Sequence, residues 1–470
     1  MKLKLHYHWV LGPFLSILTW ILPLPLKHNA HLIASLMIGV ITYWILTPIP
    51  LAVTGLLATA LLPLLGICSA QSAFSGYGHP LVFLFMGGFL IAKAMEVQKA
   101  DQRIALNLLT APGISGHPLR SIIALIFLSA VLSMFLSNTA TTAMLLPIAS
   151  GVLTHIFKKE KTSQGLVLLF IAYASSIGGM GTPVGSTPNM IALGLIEKFG
   201  GPQIDFFSWM VQVAPLSILM IFILVFVLKW KLPSLPSWIP TENLKKQKQN
   251  LGSLSSHEKI TFFSGIVAIS LWILPSLFQV FFPESPLSPL LKNHLPESAV
   301  ALIAASFLFL LKVDEKPALS WKQATSIDWN SLLLFGAGMS LGTQVFETGL
   351  ASQIGQGLIS ITSHPSQILF LFIIVTLFFT ETTSNTATAN LVIPLVYATS
   401  SDLGIDPWLP IQSVALACSL AFMMPVSTPP NAIVFGSGKI SPKLMIRVGF
   451  FLNIGASILI YFWGKIVSSI

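Results

Sequence analysis

The chain has 470 residues, of which 54% are hydrophobic and only 9% charged, with a net charge of +9. Soluble proteins carry about 25% charged residues, so this chain lacks the means to clothe a water-facing surface, and a polytopic membrane protein is the class that fits. Two cysteines, Cys68 and Cys418, exclude a disulfide framework and read as small buried hydrophobes.

A spanning helix needs about 20 apolar residues. The first run, near 9–26, follows Lys2 and Lys4 and resembles a signal peptide, but it is long, contains Pro, and has no small-residue cleavage site after it. It is expected to be an uncleaved first helix. Further runs lie near 31–47, 50–66 and 80–98, then a double-length run over 119–156 and a broken one over 164–197. Next come 206–229, 259–282, 298–312 and 330–350, a second double-length run over 366–400, a second broken one over 408–436, and a last run over 443–468. Neither double-length run has a charged loop at its middle, so each is expected to be a re-entrant hairpin. The fold class is then all-α, with about 11 transmembrane helices plus two re-entrant hairpins.

Charge placement supports that topology. With the N-terminus inside, 20 of the 25 Lys and Arg fall on cytoplasmic segments. Lys27, Lys198, Lys292 and Lys465 fall outside, and Lys93 lies within a span. The C-terminus is placed outside. The polar stretch from Pro233 to Glu258 is the one obvious linker, and it divides the chain near its middle.

Two motifs repeat across that linker. Ser137-Asn138-Thr139-Ala140-Thr141 recurs as Ser384-Asn385-Thr386-Ala387-Thr388, each with a Pro ten residues past its Ser, at Pro147 and Pro394. Gly181-Thr182-Pro183-Val184-Gly185-Ser186-Thr187-Pro188-Asn189 is answered by Met424-Pro425-Val426-Ser427-Thr428-Pro429-Pro430-Asn431. The hairpins enter from opposite faces, so the halves are inverted. Inverted repeats with interrupted helices point to a secondary transporter whose substrate sits near the membrane midplane.

The residue types suit that task. Helix N–H ends with Asn and Ser donors attract an anion, while carbonyl ends and hydroxyl oxygens suit a hard cation such as sodium. No Lys or Arg stands in any of the four motifs, so an anion would be balanced by cations and helix dipoles. Lys93, Glu96, Glu347 and Glu381 are the ionisable residues within spans. Glu381, nearest a motif, is either a proton site or, more in keeping with its setting, hydrogen-bonded within its hairpin. Thr141 and Thr388 read as packing or backbone-bonded residues.

These motifs resemble those of the divalent anion/sodium symporters, which carry dicarboxylates, citrate or sulfate. The resemblance rests on the run from Cys418 to Val434, on the two Ser-Asn-Thr tips, and on Phe83–Phe89 and Leu333–Gly338. It implies sodium-coupled uptake of di- or tricarboxylates, C4 dicarboxylates foremost, by an elevator mechanism in a homodimer of a bacterial inner membrane. It also implies a scaffold over 9–110 and 259–358, a transport domain over 118–230 and 365–468, and a cytoplasmic linker over 231–258. Carried over by position, one sodium site uses Ser133, Ser137, Asn138 and Gly185, and the other Thr380, Ser384, Asn385 and Ser427. The substrate carboxylates meet Ser137, Asn138, Thr139, Ser186, Ser384, Asn385, Thr386 and Thr428. The chain departs from the family at Ser427, where Ala is frequent, and at Ser186-Thr187-Pro188, where Thr-Pro-Pro is more usual.

The alternatives are a dicarboxylate exchanger or a sulfate transporter built on the same site. A channel has no need of two oppositely entering hairpins. An intramembrane enzyme needs a nucleophile beside a base, and the tip motifs contain neither His nor Asp.

Overall fold

In apolar surroundings only a helix satisfies its own backbone, and the described residues are almost entirely helical. The structure is a computed structural model that describes residues 7–158, 160–359 and 364–467. Lys2, Lys4 and Lys159 of the charge count, and the end of the last expected span at Ser468, lie outside them.

The first half opens with α1 (Tyr7–Ile21), α2 (His28–Leu46) and α3 (Leu51–Leu64). Thr47, at φ 47° before Pro48 and Pro50, stops α2 sharply. A short α4 (Ala70–Phe74) and a single tight turn lead into α5 (Pro80–Val97), followed by α6 (Ala100–Leu109). The first double-length run is two helices packed together, α7 (Pro118–Ser133) and α8 (Asn138–Phe157). The first broken run is α9 (Lys161–Gly179) and α10 (Thr187–Lys198), and α11 (Phe206–Lys231) closes the half.

The second half repeats the plan. After α12 (Glu242–Asn250) come α13 (Ser256–Phe281) and the pair α14 (Leu287–His294) and α15 (Glu297–Leu310), bent by 65°. A two-stranded hairpin, β1 (Lys312–Val313) and β2 (Lys316–Pro317), turns through Asp314 and Glu315, both at positive φ. Then follow α16 (Trp321–Ala324), α17 (Trp329–Glu347) and α18 (Leu350–Ile359). The second double-length run is α19 (Pro365–Thr382) and α20 (Asn385–Asp402), again packed together. The second broken run is α21 (Trp408–Cys418) and α22 (Pro429–Gly436), and α23 (Pro442–Val467) ends the order.

Among the described residues, eight helices are long and apolar enough to cross a membrane, nine if the bent pair is one span. Two of the eight, α8 and α19, are arms of the double-length runs expected as re-entrant hairpins. Of the expected spans, α1, α3 and α21 are apolar but only 15, 14 and 11 residues long, and α17 is not among the eight. Apolar side chains such as Phe226 and Trp230 of α11 stand outward, as a bilayer requires. α9 is the opposite case: from Ser163 to Gly179 every residue is buried, so it is the central post of the main core. A second, smaller core joins α2 and α3 to α17 and α18.

The stretch 233–258 is no loose tether. Ile239 and Leu244 are buried, and Ile239 N donates to Gly116 O at 3.0 Å. Arg103 of α6 pairs with Glu258 at 2.5 Å and donates to the carbonyls of Leu251, Gly252 and Ser253. Composition marks this stretch as polar, but the few apolar residues within it decide its placement.

Candidate functional site

The turns between α7 and α8 and between α19 and α20 share one construction. Ser137 is extended, and its Oγ accepts from Ala140 N at 3.2 Å, capping α8. Ser384 caps α20 in the same way, accepting from Ala387 N at 3.1 Å. Ser133 donates its hydroxyl to Asn138 Oδ1 at 2.5 Å, and Thr380 donates to Asn385 Oδ1 at 2.8 Å. In both copies the hydroxyl stands five residues before the Asn, so the bond ties the end of one arm to the start of the next.

The broken helices repeat as well. Asn189 Nδ2 donates to Gly179 O at 3.0 Å, Met180 O at 3.3 Å and Thr182 O at 2.8 Å. Asn431 Nδ2 donates to Ala421 O at 2.9 Å, Met424 O at 3.1 Å and Ser427 Oγ at 3.2 Å. Each amide reaches carbonyls ten and seven residues back. An unwound backbone buried in a membrane must find such partners, and one Asn per half provides them. Thr182 adds a hydroxyl bond to Met134 O, joining the first broken helix to the first tip.

The first tip gathers oxygen atoms. A Cβ on Gly179 would stand 2.5 Å from Asn138 Oδ1 and 2.8 Å from Gly185 O. One on Gly185 would stand 2.6 Å from Gly179 O and 2.9 Å from Ser133 O. Glycine at both positions therefore permits the close approach. Ser133, Asn138 and Gly185 of the expected cation set come together here, with Gly179 as a further carbonyl. A cradle made of oxygen alone suits a hard cation. The Ser137 side chain serves as the cap.

At the second tip, Thr380 Oγ1 stands 2.8 Å from Asn385 Oδ1 and 2.7 Å from Cys418 O. One hydroxyl proton faces two acceptors, again an oxygen-rich corner. Ser384 caps its helix. Ser427 differs, because its hydroxyl donates to Met424 O at 2.7 Å and accepts from Asn431, within its own loop.

A helix begins at each of the four motifs: α8 at Asn138, α10 at Thr187, α20 at Asn385 and α22 at Pro429. Pro429 and Pro430 have no N–H, so α22 offers fewer donors, and Thr428 Oγ1 already accepts from Asn431 N at 3.3 Å. Ser186 and Thr428 are buried, while Ser137, Asn138, Ser384, Asn385 and Thr386 are half-buried and Thr139 is exposed. Ser186 Oγ meets Ser419 Oγ at 2.9 Å, and Tyr173 Oη donates to Phe422 O at 2.5 Å. Both bonds join the first broken helix to the second, across the two halves.

Glu381 is 2% exposed, and its carboxylate accepts from Phe422 N at 2.6 Å, Met423 N at 2.8 Å, Met424 N at 2.9 Å and Asn453 Nδ2 at 2.8 Å. Its partners thus belong to the unwound stretch after α21 and to α23, not to its own hairpin. Lys93 pairs with Glu96 at 3.1 Å, and Glu347 accepts from Gln344 at 2.9 Å. Thr388 bonds to Thr383, while Thr141 Oγ1 is buried without a hydrogen-bond partner.

Sequence reading missed Gly179, Ser419 and the organising role of Asn189 and Asn431. The two Asn were visible as the last residue of each repeated motif. Ser419 has no such signal, since its partner Ser186 lies 233 residues away.

The family described as the sodium:sulfate symporter transmembrane region matches residues 3–470. The sodium-dependent dicarboxylate transporter SdcS of Staphylococcus saprophyticus is 32% identical over 467 residues, covering 95% of this chain and 88% of that one. Its counterpart in Staphylococcus aureus is 33% identical, covering 96% and 89%. Two solved structures share the fold at low identity. The Alcanivorax borkumensis YdaH transporter superposes with a TM-score of 0.56 at 14% identity, covering 94% of this chain and 97% of that one. Neisseria gonorrhoeae MtrF, from a class of antimetabolite efflux pumps, superposes with a TM-score of 0.56 at 13% identity, covering 96% and 97%.

Proposed function

The chain belongs to the sodium:sulfate symporter family, and from that membership we propose that it is a multi-pass membrane transporter that takes up a dicarboxylate together with sodium ions. The observation that carries this reading is the hydroxyl–Asn pair found in both tips, Ser133 with Asn138 and Thr380 with Asn385. Each pair sets an oxygen-rich corner beside a helix N-terminus. The corner attracts a cation and the helix start attracts a carboxylate. Two such units match a substrate with two carboxylates, and a C4 dicarboxylate is the preferred size. The similarity to sodium-dependent dicarboxylate transporters supports the same substrate class and coupling ion.

In this reading sodium is bound by Ser133, Asn138 and Gly185 at one tip and by Thr380 and Asn385 at the other, with Ser137, Ser384 and Ser427 shaping the turns. The substrate contacts are Ser137, Asn138, Thr139 and Ser186 from the first half, and Ser384, Asn385, Thr386 and Thr428 from the second. Each Asn touches both ligands, so bound sodium completes the substrate site and coupling follows.

Transport across the bilayer is by elevator. The body over 118–230 and 365–468 moves against the scaffold over 9–110 and 259–358, in a homodimer in a bacterial inner membrane. The close face between α17 and α20 lies on the boundary of these two bodies: Gly338 makes room for the Asn390 side chain, whose Nδ2 donates to Leu334 O at 3.1 Å, so movement there has to break that bond. Asn138→Ala and Asn385→Ala are expected to lower sodium-driven uptake at least tenfold at normal expression. Either variant transporting with unchanged sodium dependence contradicts the site.

A further inference from the structure

Away from the four motifs, a cavity of about 770 Å³ runs between α11 and α23. Its walls are Met220, Leu224 and Val227 on one side and Val448, Phe451 and Leu459 on the other, and its floor reaches Ile177 and Phe422. Trp230 and Phe451 at its edges are exposed, so the groove opens toward the acyl chains of the bilayer. Lys231 at the end of α11 and Arg447 near the start of α23 line its mouth, and no acidic side chain lines any part of it among the described residues. Lys231 Nζ lies 5.3 Å from the centroid of the Trp230 ring, and both basic residues are exposed. Gly455 lines the groove, and a Cβ there would meet nothing within 4 Å, so this glycine gives the groove depth without serving helix packing.

We propose that this groove binds an anionic phospholipid, with its headgroup on Lys231 and Arg447 and an acyl chain along α11 and α23 toward Phe422. The charge pattern selects this occupant. An apolar trough closed at one end by two cations complements an amphiphile with an anionic head, and a zwitterionic lipid brings no net charge to that end. The charge-based topology places this mouth in the cytoplasmic leaflet, where anionic lipids concentrate. The site has a structural consequence. Phe422, at the floor of the groove, is itself buried and belongs to the unwound stretch held by Glu381 and Tyr173, so a chain seated in the groove packs against the broken helix from the membrane side.

The test is native mass spectrometry of the full-length protein in detergent, titrated with phosphatidylglycerol or phosphatidylcholine of the same acyl chains. The wild type is expected to retain phosphatidylglycerol several-fold more than phosphatidylcholine. The double variant Lys231→Gln, Arg447→Gln should bring the two to parity. Gly455→Leu, which fills the trough in open space, should lower retention of both while leaving the lipid-free melting temperature unchanged. Equal retention of the two lipids by the wild type overturns the proposal. So does a preference that survives the double variant, which would assign it to other surface lysines.

Discussion

Glu381 sets both carboxylate oxygens against four N–H donors, three of them consecutive backbone amides of an unwound stretch. No side chain of similar size offers that many acceptors. Glu381→Gln turns one oxygen into an amide nitrogen facing donors, and an unmet buried group costs about 1–3 kcal/mol. The expected outcome is a melting temperature several degrees lower, with reduced uptake and an unchanged pH profile. A shifted pH profile at unchanged stability would instead make Glu381 a proton-coupling group. At this scale the sequence showed which residue types matter wherever they recur. Asn138 and Asn385 announce themselves as a pair. Glu381 does not, because its partners lie about 40 and 72 residues further on and form only once the chain is folded.

At the scale of elements, the broken helices and the paired arms of α7–α8 and α19–α20 were legible because Pro and polar clusters interrupt runs too long for one crossing. The short helices α4, α6, α12, α14 and α18 were not. They lack a long apolar run, and their burial is settled by neighbours distant in the chain. The stretch around α12 is the clearest case, since Arg103 holds both its end and Glu258. Glu258 is 3% exposed, and removing one partner of a buried ion pair costs about 3–5 kcal/mol. Arg103→Ala should therefore release the stretch. Limited proteolysis of inside-out vesicles should show new cleavage between residues 233 and 253, and unchanged resistance would mean that Ile239 and Leu244 suffice to hold it.

For the whole molecule, the absence of Lys and Arg from the four motifs governs charge balance. Cations and helix N-termini must offset the substrate's two charges, and a monoanion leaves one cation without its counter-charge. Uptake should follow the dianion concentration and fall as pH drops through the substrate's own second pKa. Two dicarboxylates with different second pKa values should then give separate midpoints, and a shared midpoint would assign the titration to the protein. The charge asymmetry along the chain, the recurrence of both motifs in the same order and the family resemblance are all readable from the order of residues alone. The meeting of the halves through Ser186 with Ser419 is not, because it depends on tertiary packing.

The central claim is that sodium and a dicarboxylate bind together at the two tips and cross together. Uptake of labelled succinate into proteoliposomes, loaded with no dicarboxylate, tests it most directly. An inward sodium gradient should drive accumulation, and replacing sodium by potassium should abolish it. Accumulation that ignores sodium and appears only after preloading with dicarboxylate would contradict the claim and make the protein an exchanger.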